Sequence, residues 1–154
     1  MQLDYLADHP ELVPVLAAWH HAEWARYYAD WPLEHVAAEL AAHTGRCQVP
    51  TTLVAVEDGR PLGSASLIAA DLEGWEHLSP WLASVFVTPE RRGQGIGTRL
   101  VERVVEEAAR LAFPAVYLWT PGQRAYYERL NWECVETVRT PRAKVTVMRR
   151  SLRG

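Results

Sequence analysis

The chain has 154 residues, a formal net charge of −3 and two cysteines. This length predicts one domain, residues 1–154, and the mildly acidic charge argues against nucleic acid as a partner, because no broad basic face is implied. Two cysteines are too few for a disulfide scaffold, and no metal-ligand motif accompanies them, so we expect no metal. The first residues lack a signal-peptide pattern, and no apolar run reaches the roughly 18 residues of a membrane span. We therefore expect a cytoplasmic protein without membrane contact.

The first half of the chain predicts a strand, two helices and a hairpin. Pro14 is compatible with the first turn of a helix, so regular helix in the first helical segment is expected to begin near it. Asp58-Gly59 separates two β-rich segments, and this dipeptide is typical of a tight hairpin turn. The predicted elements are a strand over residues 2–6, helices over 10–28 and 32–42, and strands over 51–56 and 61–70.

The second half predicts a strand–helix–strand unit followed by a short helix and two strands. A wide apolar stripe marks the long helix, and the continuously apolar segment after it is typical of a central parallel strand. Asn131 is expected to end the short helix in the left-handed conformation. The predicted elements are a strand over residues 81–87, a helix over 98–112, a strand over 115–119, a helix over 121–130, and strands over 132–138 and 144–151.

A glycine-rich loop connects the strand ending near Val87 to the long helix. Gly93, Gly95 and Gly97 stand at alternate positions, which permits positive φ and close approach of a ligand to the backbone. The free amides and dipole of the following helix, with Arg91, Arg92 and Arg99 nearby, predict a phosphate-binding loop. Thr98 stands where a Walker A loop needs lysine, and the glycine spacing differs from a dinucleotide-binding fingerprint.

Two motifs resemble those of the GNAT superfamily of N-acetyltransferases. Residues 92–97, Arg-Gly-Gln-Gly-Ile-Gly, match its glycine motif, and residues 125–132, Ala-Tyr-Tyr-Glu-Arg-Leu-Asn-Trp, resemble its second signature. Residues 81–85 are similar to a bacterial subgroup of general acetyltransferases. The resemblance implies an α/β (α+β) fold with a mixed, mostly antiparallel sheet of roughly six or seven strands, a central splayed parallel pair and about four helices.

The resemblance also implies acetyl-CoA as cosubstrate and assigns residues to it. Backbone groups of the loop would hold the pyrophosphate, and the end of the preceding strand would hold the pantetheine arm. Thr120 stands where the family often carries Asn. Tyr127 matches the tyrosine that protonates the departing thiolate. The residues assigned to coenzyme A are Val85, Phe86, Val87, Arg92, Gly93, Gln94, Gly95, Ile96, Gly97, Thr98, Thr120 and Tyr127.

The acceptor side of the site is less well defined by the sequence. Relatives often place a carboxylate base near residue 81, where this chain has none; Glu76, His77 and Ser84, as a holder of water, are the candidates, and a neutral amine from solvent is the alternative. Acidic and aromatic residues suited to a cationic amine are Trp24, Tyr28, Trp31, Asp71 and Trp75.

These residues predict transfer of acetyl to a primary amine, of a small molecule or a peptide, by direct attack in a ternary complex. The alternatives are a larger acyl group and, from another class, a non-catalytic acyl-CoA sensor or an interaction module. A homodimer is compatible with the resemblance.

Overall fold

A seven-stranded mixed sheet forms the centre of the computed structural model, which describes residues 1–152. In chain order the strands are β1 (Gln2–Tyr5), β2 (Thr51–Glu57), β3 (Arg60–Ile68), β4 (Trp81–Val87), β5 (Ala115–Thr120), β6 (Glu133–Arg139) and β7 (Lys144–Ser151). Their order across the sheet is β1-β2-β3-β4-β5-β7-β6, and only β4 and β5 pair in parallel. The predicted mixed, mostly antiparallel sheet is confirmed.

Four α-helices flank the sheet: α1 (Val13–Trp24), α2 (Leu33–Ala42), α3 (Ile96–Arg110) and α4 (Arg124–Arg129). The prediction of one helix over residues 10–28 was too long, because short 3₁₀ turns at Pro10–Leu12 and Ala25–Tyr27 bound the α-helical part. Pro14 occupies the first turn of α1, where the missing amide hydrogen costs nothing. The predicted start of α3 at residue 98 was two residues late, and α4 is shorter than the predicted 121–130.

Two local turn predictions are confirmed by backbone angles. Asp58 and Gly59 both have positive φ, 52° and 76°, as a two-residue hairpin with the right twist requires. Asn131 has φ of 71° directly after α4, so it ends that helix in the left-handed region.

The core lies on both faces of the sheet. Alternate residues of β2 point to opposite faces, so Leu53 packs on the α3 side while Val54 packs on the side of α1 and α2. The α3 side includes Leu100, Val104, Leu118 and Met148; the other side includes Leu6, Leu16, Val36 and Leu40.

The parallel pair β4 and β5 separates almost as soon as it forms. Trp81 and Tyr117 are its one registered pair, and the Tyr117 amide donates to the Pro80 carbonyl at 3.0 Å. Beyond this point the two strands diverge, as predicted, and the interior of the sheet opens. The gap lies beside the start of α3, which is where the glycine loop lies.

Candidate active site

A cavity of about 680 Å³ fills the gap between β4 and β5. Its walls come from β4, the end of β5, the segment before α4, and the chain that follows α1. The predicted site residues that line it are Trp24, Tyr28, Asp71, Ser84, Val85, Phe86, Val87, Arg92, Thr120 and Tyr127. Residues 93–98 of the glycine loop, Glu76 and His77 do not line this cavity, so it brings together part of the residues assigned to the donor and to proton transfer.

A bulge in β4 shapes the middle of this cavity. Ser64 opposes Phe86 and Ser66 opposes Ala83, so β4 has one extra residue over this interval. Ser84 adopts φ of 56°, a left-handed conformation that is uncommon for a residue other than glycine. Ser84 and Val85 have no registered partner in β3.

The glycine loop lies directly after the cavity wall and opens the N-terminus of α3. Gly93 and Gly95 have φ of 77° and 82°, and Gly95 is the N-cap residue directly before α3. An added Cβ at either position would meet nothing within 4 Å, so the backbone conformation rather than space requires glycine. The Arg99 amide donates to the Gly95 carbonyl at 3.1 Å. Within residues 1–152, the amides of residues 93–98 donate to no carbonyl, which suits an anion.

The three arginines near this loop have different surroundings. Arg91 donates to Glu57 at 2.6 Å and to Gln94 at 3.0 Å, so its charge is already paired and lowers the pKa of the Glu57 carboxyl. Arg92 lines the cavity, donates to the Val87 carbonyl at 2.9 Å and lies over the Phe86 ring. Of the three, Arg92 is the cation presented to the cavity.

Tyr127 lies on the floor of the cavity with its ring packed among aromatic side chains. It is 9% exposed and contacts the rings of Trp132 and Tyr126 edge-on, with centroids 5.9 and 5.0 Å away. Its hydroxyl forms no hydrogen bond within residues 1–152, whereas the Tyr126 hydroxyl bonds Thr98 at 2.9 Å. Burial, and then the neighbouring Tyr126, raise the pKa of Tyr127, so the phenol stays protonated at neutral pH.

Thr120 also lines this cavity, but its hydroxyl is used locally. Its Oγ accepts from the amides of Gln123 at 3.0 Å and Gly122 at 3.4 Å, which fixes the turn into α4. This contact positions the helix that carries Tyr127.

A second cavity of about 650 Å³ lies on the other side of the β4 bulge. It shares Tyr28, Asp71, Ala83 and Ser84 with the first cavity, so the two spaces adjoin at these residues. Carboxylates and aromatic rings line much of it: Tyr28, Trp31, Glu39, Asp71, Glu73 and Glu76. The sequence indicated this character through Tyr28, Trp31 and Asp71 but missed Glu39, which lies on α2.

Asp71 is the carboxylate at the junction of the two cavities. The Tyr28 hydroxyl donates to its Oδ1 at 3.2 Å, and the Trp119 indole donates to its main-chain carbonyl at 3.0 Å. Burial raises the pKa of Asp71 to about 7, although the hydrogen bond from Tyr28 acts in the opposite direction. Asp71 was predicted as a substrate contact. The sequence analysis missed Trp119, which lies near the end of β5 and fixes the main chain at Asp71 through its hydrogen bond.

The loop candidates for the base lie farther out. Glu76 is exposed, accepts a hydrogen bond from the Gly74 amide at 3.1 Å, and lines the second cavity only. His77 stacks on Trp75 with ring centroids 5.7 Å apart, and neither residue lines either cavity. The structure does not bring His77 or Trp75 to the other predicted residues.

Two histidines near these cavities, the buried His20 and the half-buried His43, are held neutral. His43 shares a hydrogen bond with Thr52 at 2.9 Å, and Thr52 continues to Ser66 at 2.7 Å; His20 bonds Ser64 at 2.9 Å. Burial lowers the pKa of each imidazole to about 4. Such weakly basic groups are poor acceptors for a proton from an ammonium ion.

Among residues 1–152, no group of three or more His, Cys, Asp or Glu side chains is arranged to hold a metal ion. Cys47 and Cys134 are free thiols and line neither cavity. No helix in the same range is long and apolar enough to cross a membrane.

The class of protein follows from the fold. A crystal structure of an aminoglycoside 6'-N-acetyltransferase complexed with coenzyme A matches with a TM-score of 0.79 at 18% identity, covering 100% of this chain and 98% of that chain. The yncA structure from Salmonella typhimurium with its cofactor acetyl-CoA matches with a TM-score of 0.74 at 21% identity, covering 100% and 95%. The fold is that of N-acetyltransferases.

Sequence then identifies the family. The model of the Acetyltransferase (GNAT) family matches residues 16–132, so the chain belongs to this family, as its two motifs predicted. An uncharacterized N-acetyltransferase of Methanocaldococcus jannaschii is 27% identical over 125 residues, which are 76% of this chain. The chain spans about half the length of that relative, 49%.

Proposed function

We propose that this protein is an acetyl-CoA-dependent N-acetyltransferase that acetylates a primary amine by direct attack in a ternary complex. The observation that carries the proposal is the gap between β4 and β5, whose cavity is lined both by Arg92, directly before the glycine loop, and by the buried Tyr127. Family membership supports acetyl transfer, and structures of the same fold that contain coenzyme A or acetyl-CoA support this donor. The homodimer stays a prediction.

The donor fits the residues present. The amides of residues 93–98 would hold the pyrophosphate, and the dipole of α3 and the charge of Arg92 would add to the attraction. The divergence of β5 leaves the edge of β4 at Val85 without a partner strand, so this edge would hydrogen-bond the pantetheine arm as a strand would. At Val87 the carbonyl already accepts from Arg92 at 2.9 Å.

The bound thioester supplies the acetyl group, whose carbonyl carbon is attacked by the neutral amine as the carbon–sulfur bond breaks. A backbone amide near the β4 bulge polarises the carbonyl oxygen. Tyr127 gives its phenolic proton to the departing thiolate. Burial disfavours the phenolate and keeps this proton on Tyr127 until the thiolate forms.

The acceptor enters through the second cavity. Its carboxylates attract an ammonium ion, and the rings of Tyr28 and Trp31 offer cation–π contacts. Of the residues predicted for substrate contact, Tyr28, Trp31 and Asp71 line the second cavity, Trp24 lines only the first, and Trp75 lines neither.

Release of free thiol from acetyl-CoA tests the function. The acceptor panel contains spermidine, kanamycin and an alanyl dipeptide, and calorimetry measures coenzyme A binding separately. Turnover of at least one amine is the expected result. Coenzyme A binding without turnover of any amine would favour the sensor alternative, and no coenzyme A binding would favour the interaction module.

A further inference from the structure

We propose that Asp71 is the general base that removes a proton from the acceptor ammonium, and that Tyr28 is a positioning residue for its carboxylate. This inference rests on the proposed function and adds the residue that prepares the nucleophile. It replaces the earlier candidates Glu76 and His77 with a residue outside the sequence-based choice of base.

Asp71 occupies the place that a base requires. The amine arrives through the second cavity and the thioester lies in the first, so the proton must be removed where the two spaces adjoin. Asp71 is the only carboxylate among the four residues shared by both cavities within residues 1–152. Glu76 reaches the acceptor cavity alone, and His77 reaches neither.

The carboxylate is held in a fixed orientation. Tyr28 donates to Oδ1, and Trp119 holds the main chain of the same residue through its carbonyl. The rings of Tyr28 and Trp119 pack edge-on with centroids 5.9 Å apart, and Trp31 packs on Tyr28 at 4.7 Å. The hydrogen bond from Tyr28 goes to Oδ1, which leaves Oδ2 as the oxygen that receives a proton.

The charge environment suits a base that acts near neutral pH. Burial is the main cause of the raised pKa of Asp71, and Glu39 adds to it across the second cavity. A carboxylate with a pKa near 7 accepts a proton from an ammonium far more readily than an ordinary aspartate does. The titratable and charged groups that line the two cavities around it are Glu23, Arg26, Tyr27, Tyr28, Glu39, His43, Glu73, Glu76, Arg92, Tyr126 and Tyr127.

The proton balance is complete with these residues. The acceptor nitrogen enters as an ammonium and leaves as an amide, so it loses two protons. Asp71 takes the first and releases it to solvent through the acceptor cavity. The second replaces the proton that Tyr127 gives to the thiolate, so both side chains return to their starting states. No oxidant, metal or covalent enzyme intermediate is needed.

The test is the pH profile of kcat/KM with the panel amine that turns over fastest among spermidine, kanamycin and the alanyl dipeptide. For the wild type we expect kcat/KM to rise up to about pH 7 and then level off below the pKa of the amine. Asp71→Asn should lower kcat/KM at neutral pH by about 10²-fold or more, and the remaining rate should climb toward the pKa of the amine. Tyr28→Phe should move the rise of kcat/KM to higher pH, because the hydrogen bond from Tyr28 favours the ionised carboxylate.

Asp58→Asn is the matched control, since Asp58 lies in the hairpin turn, lines neither cavity, and has a φ of 52° that asparagine tolerates. Coenzyme A affinity and circular dichroism confirm that each variant is folded. The assignment would be overturned if Asp71→Asn kept wild-type turnover and the same rise of kcat/KM with pH. It would also be overturned if that rise disappeared in Glu76→Gln or His77→Gln instead. If the wild type binds acetyl-CoA but acetylates no amine, the proposed function fails, and the role of Asp71 fails with it.

Discussion

Replacing Asp71 with asparagine should make the folded protein more stable at neutral and alkaline pH. The amide has nearly the same shape and its oxygen can still accept the hydrogen bond from Tyr28. The change removes only the charge that Asp71 carries when it ionises. The site would thus lose its proposed base and gain stability, as functional sites that hold strained or unfavourable charges do.

The magnitude follows from the change in pKa on folding. The carboxyl titrates near 3.8 when unfolded and near 7 when folded. Because the folded pKa is the higher one, the unfolded state loses its proton first, and Asp71 reduces stability progressively as the pH rises from about 4 to about 7. Roughly three pH units at 1.36 kcal/mol each give an upper value of about 4 kcal/mol, and partial solvent access to the half-buried carboxyl reduces the expected gain to about 2 kcal/mol.

Urea unfolding of wild type and Asp71→Asn at several pH values between about 4 and about 8 measures this difference. We expect the difference in free energy of unfolding to be small near pH 4, to grow with pH, and to be constant above about pH 7.5. His20 and His43 titrate in both proteins, so their contributions to the difference in free energy of unfolding cancel. A difference that stays constant across the range would show that Asp71 ionises normally, and the reasoning would then be wrong.

Three further predictions concern Tyr127, Gly95 and His43. Tyr127→Phe should lower kcat by about 10²-fold with nearly unchanged coenzyme A affinity, measured by thiol release and calorimetry. Gly95→Ala should lower stability by roughly 1–2 kcal/mol, because its φ is 82°, and should weaken coenzyme A binding. His43→Gln should reduce the loss of stability on acidification: the folded pKa of about 4 lies below the unfolded 6.5, so stability falls as the pH drops between these values.

Each of these predictions has a result that contradicts it. Unchanged turnover in the phenylalanine variant would remove Tyr127 from the mechanism. Gly74→Ala is the matched control for the loop, since its φ is 87° and an added Cβ also meets nothing within 4 Å; equal coenzyme A affinities in the two alanine variants would argue against the loop. For His43, equal acid sensitivity of variant and wild type would show that this imidazole is not the titrating group.

The donor half of the site could be predicted because its determinants are local in sequence. Pro89 ends a strand, Gly93 and Gly95 need positive φ, and the apolar stripe of α3 follows at once, so one continuous segment specifies the loop. Tyr127 was located by a second continuous motif. Both segments can be recognised from the sequence alone, because neither motif depends on contacts with distant residues.

The acceptor half could not be predicted in the same way, because distant segments create it. Asp71 acquires its high pKa from burial among segments that are distant in sequence. It accepts a hydrogen bond from Tyr28, 43 residues earlier, and its main-chain carbonyl accepts one from Trp119, 48 residues later. No glycine or proline in the sequence indicates the bulge at Ser84, because a serine adopts there the left-handed conformation that is typical of glycine. Periodicity places such residues on a strand or loop but gives no information about which of them meet.

The two cavities meet at only four residues, and this has a practical consequence for inhibitor design. A single molecule that tethers an amine to the sulfur of coenzyme A through a short linker would pass Tyr28, Asp71, Ala83 and Ser84 and occupy both spaces. Its amine end would meet the carboxylates that line the second cavity. Varying the amine of such a compound would therefore identify the natural acceptor by affinity, without any turnover being required.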